Sequence, residues 1–349
     1  EHSCPGLLPA LSPPLRCSSS RAPSGSPPHR MSLVYLRERD AVAVPPPSTS
    51  AERHAALEHA AEAIIHADGL LFTAGAGMGV DSGLPDFRGT TTGLFAGVTE
   101  MTYEQMSDDR HFLEDPLFAW GVNSAQMNMY RKADPHSGYL TLKKWAEQLG
   151  KEYFVWTSNI DGQFRKAGFP AERIVTCHGE MEYLQCTDRK CCQAGGENHV
   201  WSSANLPSKV EVDATTLRLV DASLLETPAF RCPRCGSVAR PNVWFCSDQN
   251  YWSHPARHEA SSRYRRWLET MHEGNKRLVV IECGAGLAIP AVRCEGEDAV
   301  EHAGEGSFLV RVNPSDCRVP AHRGIGLPFA AAHGLCLLDK IVQQHLNQA

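Results

Sequence analysis

No apolar run in the chain approaches the roughly 20 residues that span a bilayer, so no membrane-crossing helix is expected. An excess of positive charge is also missing. The 34 Lys and Arg stand against 40 Asp and Glu, a formal net charge of -6, which argues against direct nucleic-acid binding. Between His2 and Arg37 there is no acidic side chain at all, while Pro, Ser and Arg abound, so this stretch cannot build a core. Residues 1–48 are therefore expected to form a disordered tail or an organelle transit peptide, a kind of segment rich in Arg and Ser and poor in acids. The thirteen cysteines lack the even count and regular spacing of a secreted disulfide framework. They point to a reducing compartment: a soluble intracellular protein, cytoplasmic unless the tail directs it to an organelle, with part of its thiols on metal.

What is present suits one large domain with a smaller module, since 42% of the 349 residues are hydrophobic and 21% charged. Order is expected from Thr49, which has Glu52 at capping-box spacing and is followed by Leu57, Ala60, Ala61, Ile64 and Ile65 at helical intervals. The chain is organised around Gly69–Gly89, GLLFTAGAGMGVDSGLPDFRG. Leu70, Leu71 and Phe72 read as a buried strand delivering the chain to a glycine turn, where Gly75 and Gly77 let backbone amides approach a phosphate. As a dinucleotide fingerprint the turn is incomplete, because Val80 stands where the third glycine belongs. Asp86, Phe87 and Arg88 add a carboxylate, an aromatic ring and a guanidinium to the same loop. The stretch from Gly89 to Asp109 shows no sustained period, as a cofactor loop would, and helical patterns from Phe112 to Leu149 break at Asp134-Pro135.

Tyr153–Thr157 reads as a second buried strand, which places Ser158, Asn159 and Asp161 just past its carboxyl end, where open α/β sheets bind ligands. Ile174–Thr176 then leads to Cys177-His178-Gly179, with an imidazole suited to moving a proton near neutral pH. Cys232 and Cys235 form a C-x-x-C knuckle. Cys186 with Cys191 offers a second pair; Cys192 is an equal partner by reach, and the shorter loop favours Cys191. Two close pairs of thiolates suit a closed tetrahedral structural zinc site. The polar residues between Cys192 and Cys232 carry no period that assigns them a role. Further strands are expected at Leu278–Ile281 and Phe308–Val312, with helices over Arg257–His272 and at the C terminus.

The glycine turn with its DFR continuation, the Ser158–Asp161 turn and the His-Gly pair resemble, in order, the three signatures of the sirtuin family, the NAD-dependent protein deacylases. The GAGMGVDSGLPDFRG phrase is similar to that of a bacterial-type subgroup. The resemblance runs from Thr49 to the C terminus. It implies an α/β fold, a doubly wound Rossmann-like parallel sheet over about 49–177 and 244–349, with a small zinc-binding module of about 180–243 inserted. It implies NAD as cofactor, structural zinc, and acyl-lysine protein substrates whose acyl group passes to ADP-ribose. His178 corresponds to the catalytic base, with Asn159 and Asp161 holding nicotinamide and ribose. Gly75, Ala76, Gly77, Asp86, Phe87, Arg88, Ser158, Gly284, Ala285 and Asn313 correspond to cofactor contacts. Val243, Trp244 and Phe245 correspond to the segment that pairs with an extended substrate peptide.

The chain departs from the family at Ser158 for a glutamine, Gly79 for a serine, Ala285 and Gly286 for hydroxyl residues, and Cys246 for a glycine at the peptide cleft. These departures keep two alternatives open: an NAD-dependent ADP-ribosyltransferase or NAD glycohydrolase, and a weak module that binds NAD or ADP-ribose. Family members that remove succinyl groups place Tyr and Arg where this chain has Asn123 and Gln126, so an uncharged acyl group, such as acetyl, is expected.

Overall fold

A computed structural model describes residues 43–86, 101–194, 200–246, 248–320 and 323–348 of the chain. Thr49 caps the first helix, Ser50–His66, accepting from the Glu52 amide at 3.2 Å while Glu52 Oε2 accepts from the Thr49 amide at 3.0 Å. That reciprocal pair is the capping box its spacing predicts. The helix buries Leu57, Ala60, Ala61 and Ile64 and hands the chain to Gly69–Ala74, a strand with every residue buried.

Six parallel strands form the main sheet, in the spatial order Gly324–Leu327, Phe308–Val312, Leu278–Cys283, Gly69–Ala74, Glu152–Thr157, Ile174–Thr176. The sheet is wound outward in both directions from its first and fourth strands in chain order, so the strand order reverses between Gly69–Ala74 and Leu278–Cys283. A ligand crevice belongs at the carboxyl ends of those two strands. Alternate residues serve opposite faces. Leu70, Phe72, Ile281 and Val310 pack on the helices Ser50–His66, Ser137–Gln148 and Ala331–Gln348. Leu71, Val280 and Leu309 pack on Pro255–Glu273 and Ala291–His302. Burial on both faces is why these strands read as unbroken apolar runs.

The inserted module carries an antiparallel sheet in the order Val200–Ser202, Gly179–Cys186, Ala239–Val243. A third core joins it to the large domain, with Phe112, Trp120 and Tyr130 packing on Leu206, Val210, Leu219, Phe230 and Phe245. The polar stretch before Cys232 thereby gains a role as cover for the helix Pro116–Lys132. The Asn128 amide holds Val210 by both backbone groups, donating to its oxygen at 2.7 Å and accepting from its nitrogen at 3.1 Å. Gly121 admits this cover, since a Cβ there would lie 2.0 Å from the Leu217 oxygen.

Two sequence expectations change. Ala43–Val44 pairs antiparallel with Val319–Pro320, so order begins inside the segment expected to be tail; residues 1–42 lie outside the described ones. Within the stretch expected to lack regular structure, Thr102 and Gln105 form a second capping box on a turn of helix, Tyr103–Met106. Residues 87–100, including Phe87 and Arg88, lie outside the described residues. Among the described residues no helix is long and apolar enough to cross a membrane.

Candidate functional site

The strands on either side of the order reversal end in glycine turns that lie backbone against backbone. The Gly75 amide donates to Cys283 O and the Gly77 amide to Gly284 O, each at 3.0 Å. A Cβ on Gly75 would sit 2.7 Å from Gly284 O, and one on Gly284, whose φ is +64°, would sit 2.1 Å from the Met78 nitrogen. The glycines are required, but for a different reason from the one read in the sequence: they let the two turns touch, and the amides of Gly75 and Gly77 are spent on protein carbonyls rather than left for a phosphate. Ala76 opens the short 3-10 helix Ala76–Ser82 that follows, and Asp86 is the last described residue of this loop.

Asn313 is likewise committed. Its Nδ2 donates to Ala285 O at 3.0 Å, and its Oδ1 accepts from the amides of Ser315 and Asp316 at 2.9 and 3.1 Å. It thereby holds the Gly284-Ala285 turn, with one Nδ2 hydrogen used on Ala285 O. Arg293, missed in the sequence, donates to the same Ala285 oxygen at 3.1 Å from a fully buried position. An arginine in an otherwise amphipathic helix carries no local signal that it points inward. His136 was missed for a similar reason: it sits in the helix break, where its Nε2 lies 2.8 Å from Met78 O.

The second turn closes on the first. The Ser158 amide donates to Ala74 O at 3.3 Å, and Asn159 Nδ2 to Gly75 O at 2.9 Å. Asn159 is buried, and its Oδ1 has no partner among the described residues. Asp161 accepts from the Gln163 amide at 2.9 Å, and desolvation raises its carboxyl to about 6. It lies beside Gly79, where a Cβ would come 3.6 Å from Asp161 Oδ2.

His178 follows the edge strand, and the backbone around it is held from three sides. The Cys177 amide donates to Thr157 O at 2.9 Å, Arg257 donates to Cys177 O at 2.7 Å, and the Trp244 amide donates to His178 O at 2.9 Å. Gly179 pairs with Val243 in the module's sheet, so the imidazole is tied directly to the segment expected to bind peptide. That segment, Ala239–Val243, is an edge strand of its sheet. Trp244 is half exposed and stacks on Tyr251, while Phe245 is buried. A cavity of about 20 Å³ joins the two halves of the site, lined by Tyr103, Ser107, Asn123, Gln126, Ile160 and Val243 among others. Ile160 sits between Asn159 and Asp161, and Asn123 and Gln126 are the positions that the sequence register singled out.

The thiols of Cys186, Cys191, Cys232 and Cys235 lie within 4.8 Å of one another. Cys186 to Cys235 is 3.5 Å and Cys191 to Cys232 is 3.8 Å. A tetrahedron with metal–sulfur bonds of about 2.3 Å has edges of about 3.8 Å, so the donor set fits zinc with no open position. The group of four includes Cys191; the side chain of Cys192 lies outside the described residues.

Comparison with known proteins gives three kinds of likeness. A "Probable bifunctional ADP-ribose hydrolase/ADP-ribosyltransferase" of Fusarium oxysporum f. sp. cubense is 30% identical over 73% of this chain and 42% of its own. An "NAD-dependent protein deacylase 2" of Pseudomonas aeruginosa is 30% identical over 55% of this chain and 66% of its own. The chain thus matches less than two thirds of either relative's length. Among solved structures, a Sir2 homolog–NAD complex superposes with a TM-score of 0.60 at 18% identity, covering 88% of this chain and 99% of that one, a likeness of fold. The Sir2 family model matches residues 75–261, from the first glycine turn through His178 and all four thiols into the helix beyond Trp244. With more than half its length under that model, this chain belongs to the Sir2 family.

Proposed function

We propose that the protein is an NAD-dependent protein lysine deacylase that releases nicotinamide and passes the acyl group to ADP-ribose. The observation that carries this reading is the meeting of two elements: His178, pinned to the peptide-binding edge by Trp244, and the Asn159–Asp161 turn, pinned to the glycine crevice by Gly75. Bound NAD supplies a sugar carbon that carries a leaving group. Asn159 Oδ1, without a partner among the described residues, suits a ribose hydroxyl or a carboxamide, and the Asp161 carboxylate accepts from another hydroxyl. Val243 ends an edge strand, Ala239–Val243, that can offer backbone bonds to an extended peptide, which demands little of its sequence. His178 takes the proton of the ribose hydroxyl that captures the acyl group, a contribution of about 10²- to 10⁴-fold. The four cysteines hold a structural zinc that fixes the module carrying the peptide edge.

His178→Ala is therefore expected to lower deacylation of an acetyl-lysine peptide by at least about 10²-fold while NAD affinity, measured by calorimetry, changes less than about twofold. Undiminished deacylation by that variant removes His178 from the role.

ADP-ribosyl transfer or hydrolysis of NAD is the second reading. Cys246, just past the peptide edge, is already paired with the protein's own chain: its amide donates to Ser107 O at 2.8 Å and Asp108 lies opposite. A peptide reaching that point meets occupied backbone, whereas the NAD crevice is unaffected. The name of the Fusarium relative points the same way.

A further inference from the structure

The backbone of His178 is fixed on both sides by groups that a single arginine ties together. Arg257, near the start of the helix Pro255–Glu273, donates from Nη2 to Cys177 O at 2.7 Å, the carbonyl just before the histidine. The carbonyl just after it accepts from the Trp244 amide at 2.9 Å. The Trp244 ring meets the imidazole edge to face, at 83° and 6.2 Å between ring centres, and lies parallel to the Tyr251 ring, at 9° and 6.1 Å. Tyr251 closes the circuit, because its hydroxyl accepts from Arg257 Nη1 at 2.5 Å. Gly179, at φ +84°, makes room for it, since a Cβ there would lie 3.0 Å from Tyr251 Oη. One guanidinium therefore holds both the backbone that carries the imidazole and the ring stack beside it.

The hydrogen bonds of Arg257 among the described residues, to Cys177 O, Tyr251 Oη and Ser253 Oγ at 3.2 Å, all go to neutral oxygens, and its Nε is buried without a partner. The phenol is neutral because burial raises its pKa. A cation with neutral partners and an orphaned N–H adds little to stability, so packing alone gives no reason for arginine here. What an apolar side chain, or a lysine with its single nitrogen, lacks is a rigid fork that reaches two diverging acceptors at once.

We propose that Arg257 is a positioning residue: it sets the His178 imidazole against the peptide-binding edge, so that the proton transfer depends on a guanidinium that touches no substrate. The inference rests on the deacylase reading for its rate, but the placement of the imidazole is measured without turnover. A base displaced by about 1 Å loses on the order of 10²-fold in rate, while the NAD crevice keeps its own contacts.

The experiment uses the purified full chain and its variants Arg257→Met and Arg257→Lys. Calorimetry with ADP-ribose gives affinity and the fraction of folded protein, steady-state deacylation of an acetyl-lysine peptide gives kcat and both KM values, and proton NMR follows the His178 imidazole, identified by its loss in His178→Ala. Arg257→Met is expected to lower kcat by about 10- to 100-fold, with ADP-ribose affinity and both KM values within about twofold of native, and to displace the His178 signal. Arg257→Lys, which keeps the charge and one bond, is expected to recover part of kcat. A kcat within about twofold of native in Arg257→Met, a loss matched by the fall in ADP-ribose-binding fraction, or an unmoved His178 signal overturns the inference. A displaced signal in a protein whose native form turns over no peptide upholds the positioning and removes the deacylase reading instead.

Discussion

Burial holds the Asp161 carboxyl at about 6, above its ordinary 3.8, so the folded chain keeps a proton there that the unfolded chain gives up earlier. The group's contribution to stability is therefore whole below about pH 4 and lost as pH rises through about 6. At neutral pH the ionised carboxylate costs stability, and its retention fits a residue kept for chemistry. Asp161→Asn keeps an acceptor for the Gln163 amide and removes the charge. It is expected to raise the melting temperature by roughly 2–4 °C at pH 7.5 and leave it unchanged at pH 4, while lowering deacylation. Equal melting temperatures at both pH values contradict the desolvated carboxylate. Asp161 was singled out by its place after a strand together with the resemblance of its turn to the family's second signature. Its pKa was not legible, because the protein around it is assembled from residues far apart in the chain.

The glycine turns show how an element can be recognised for an incomplete reason. Their composition after a buried strand marks a ligand crevice, and the strand order places them on it. What composition does not contain is the partner: Gly75 and Gly77 meet Gly284, some two hundred residues away, and the contact exists only once the first and fourth strands pair. The distinction is testable in the fourth strand's turn. Gly284→Ala puts a Cβ 2.1 Å from backbone nitrogen at a positive φ, whereas at Gly286 nothing lies within 4 Å of the added atom. Gly284→Ala is expected to lower unfolding free energy by about 3 kcal/mol or more, and Gly286→Ala by less than about 1, in urea titrations. Similar losses at both positions contradict the backbone contact. Helices and strands with strong local signals, such as Thr49 capping Ser50–His66 or the apolar run Phe308–Val312, needed no such partner and were readable to within a residue or two.

At the scale of the whole molecule, the doubly wound parallel sheet and the inserted cysteine module followed from resemblance and patterning together, and the strand order came from the structure. The cover on Pro116–Lys132 did not, since its clamp pairs Asn128 with Val210, a contact with no local period to betray it. The question that sequence left open is which nucleophile reaches the sugar. Cys246 bonded to Ser107 favours a closed peptide cleft, whereas the place of Ala239–Val243 at the edge of its sheet favours an open one. Nicotinamide release from NAD by the purified protein, followed with and without an acyl-lysine peptide, decides between them. The account predicts release that depends on the peptide and disappears in His178→Ala; release at the same rate without any peptide contradicts it.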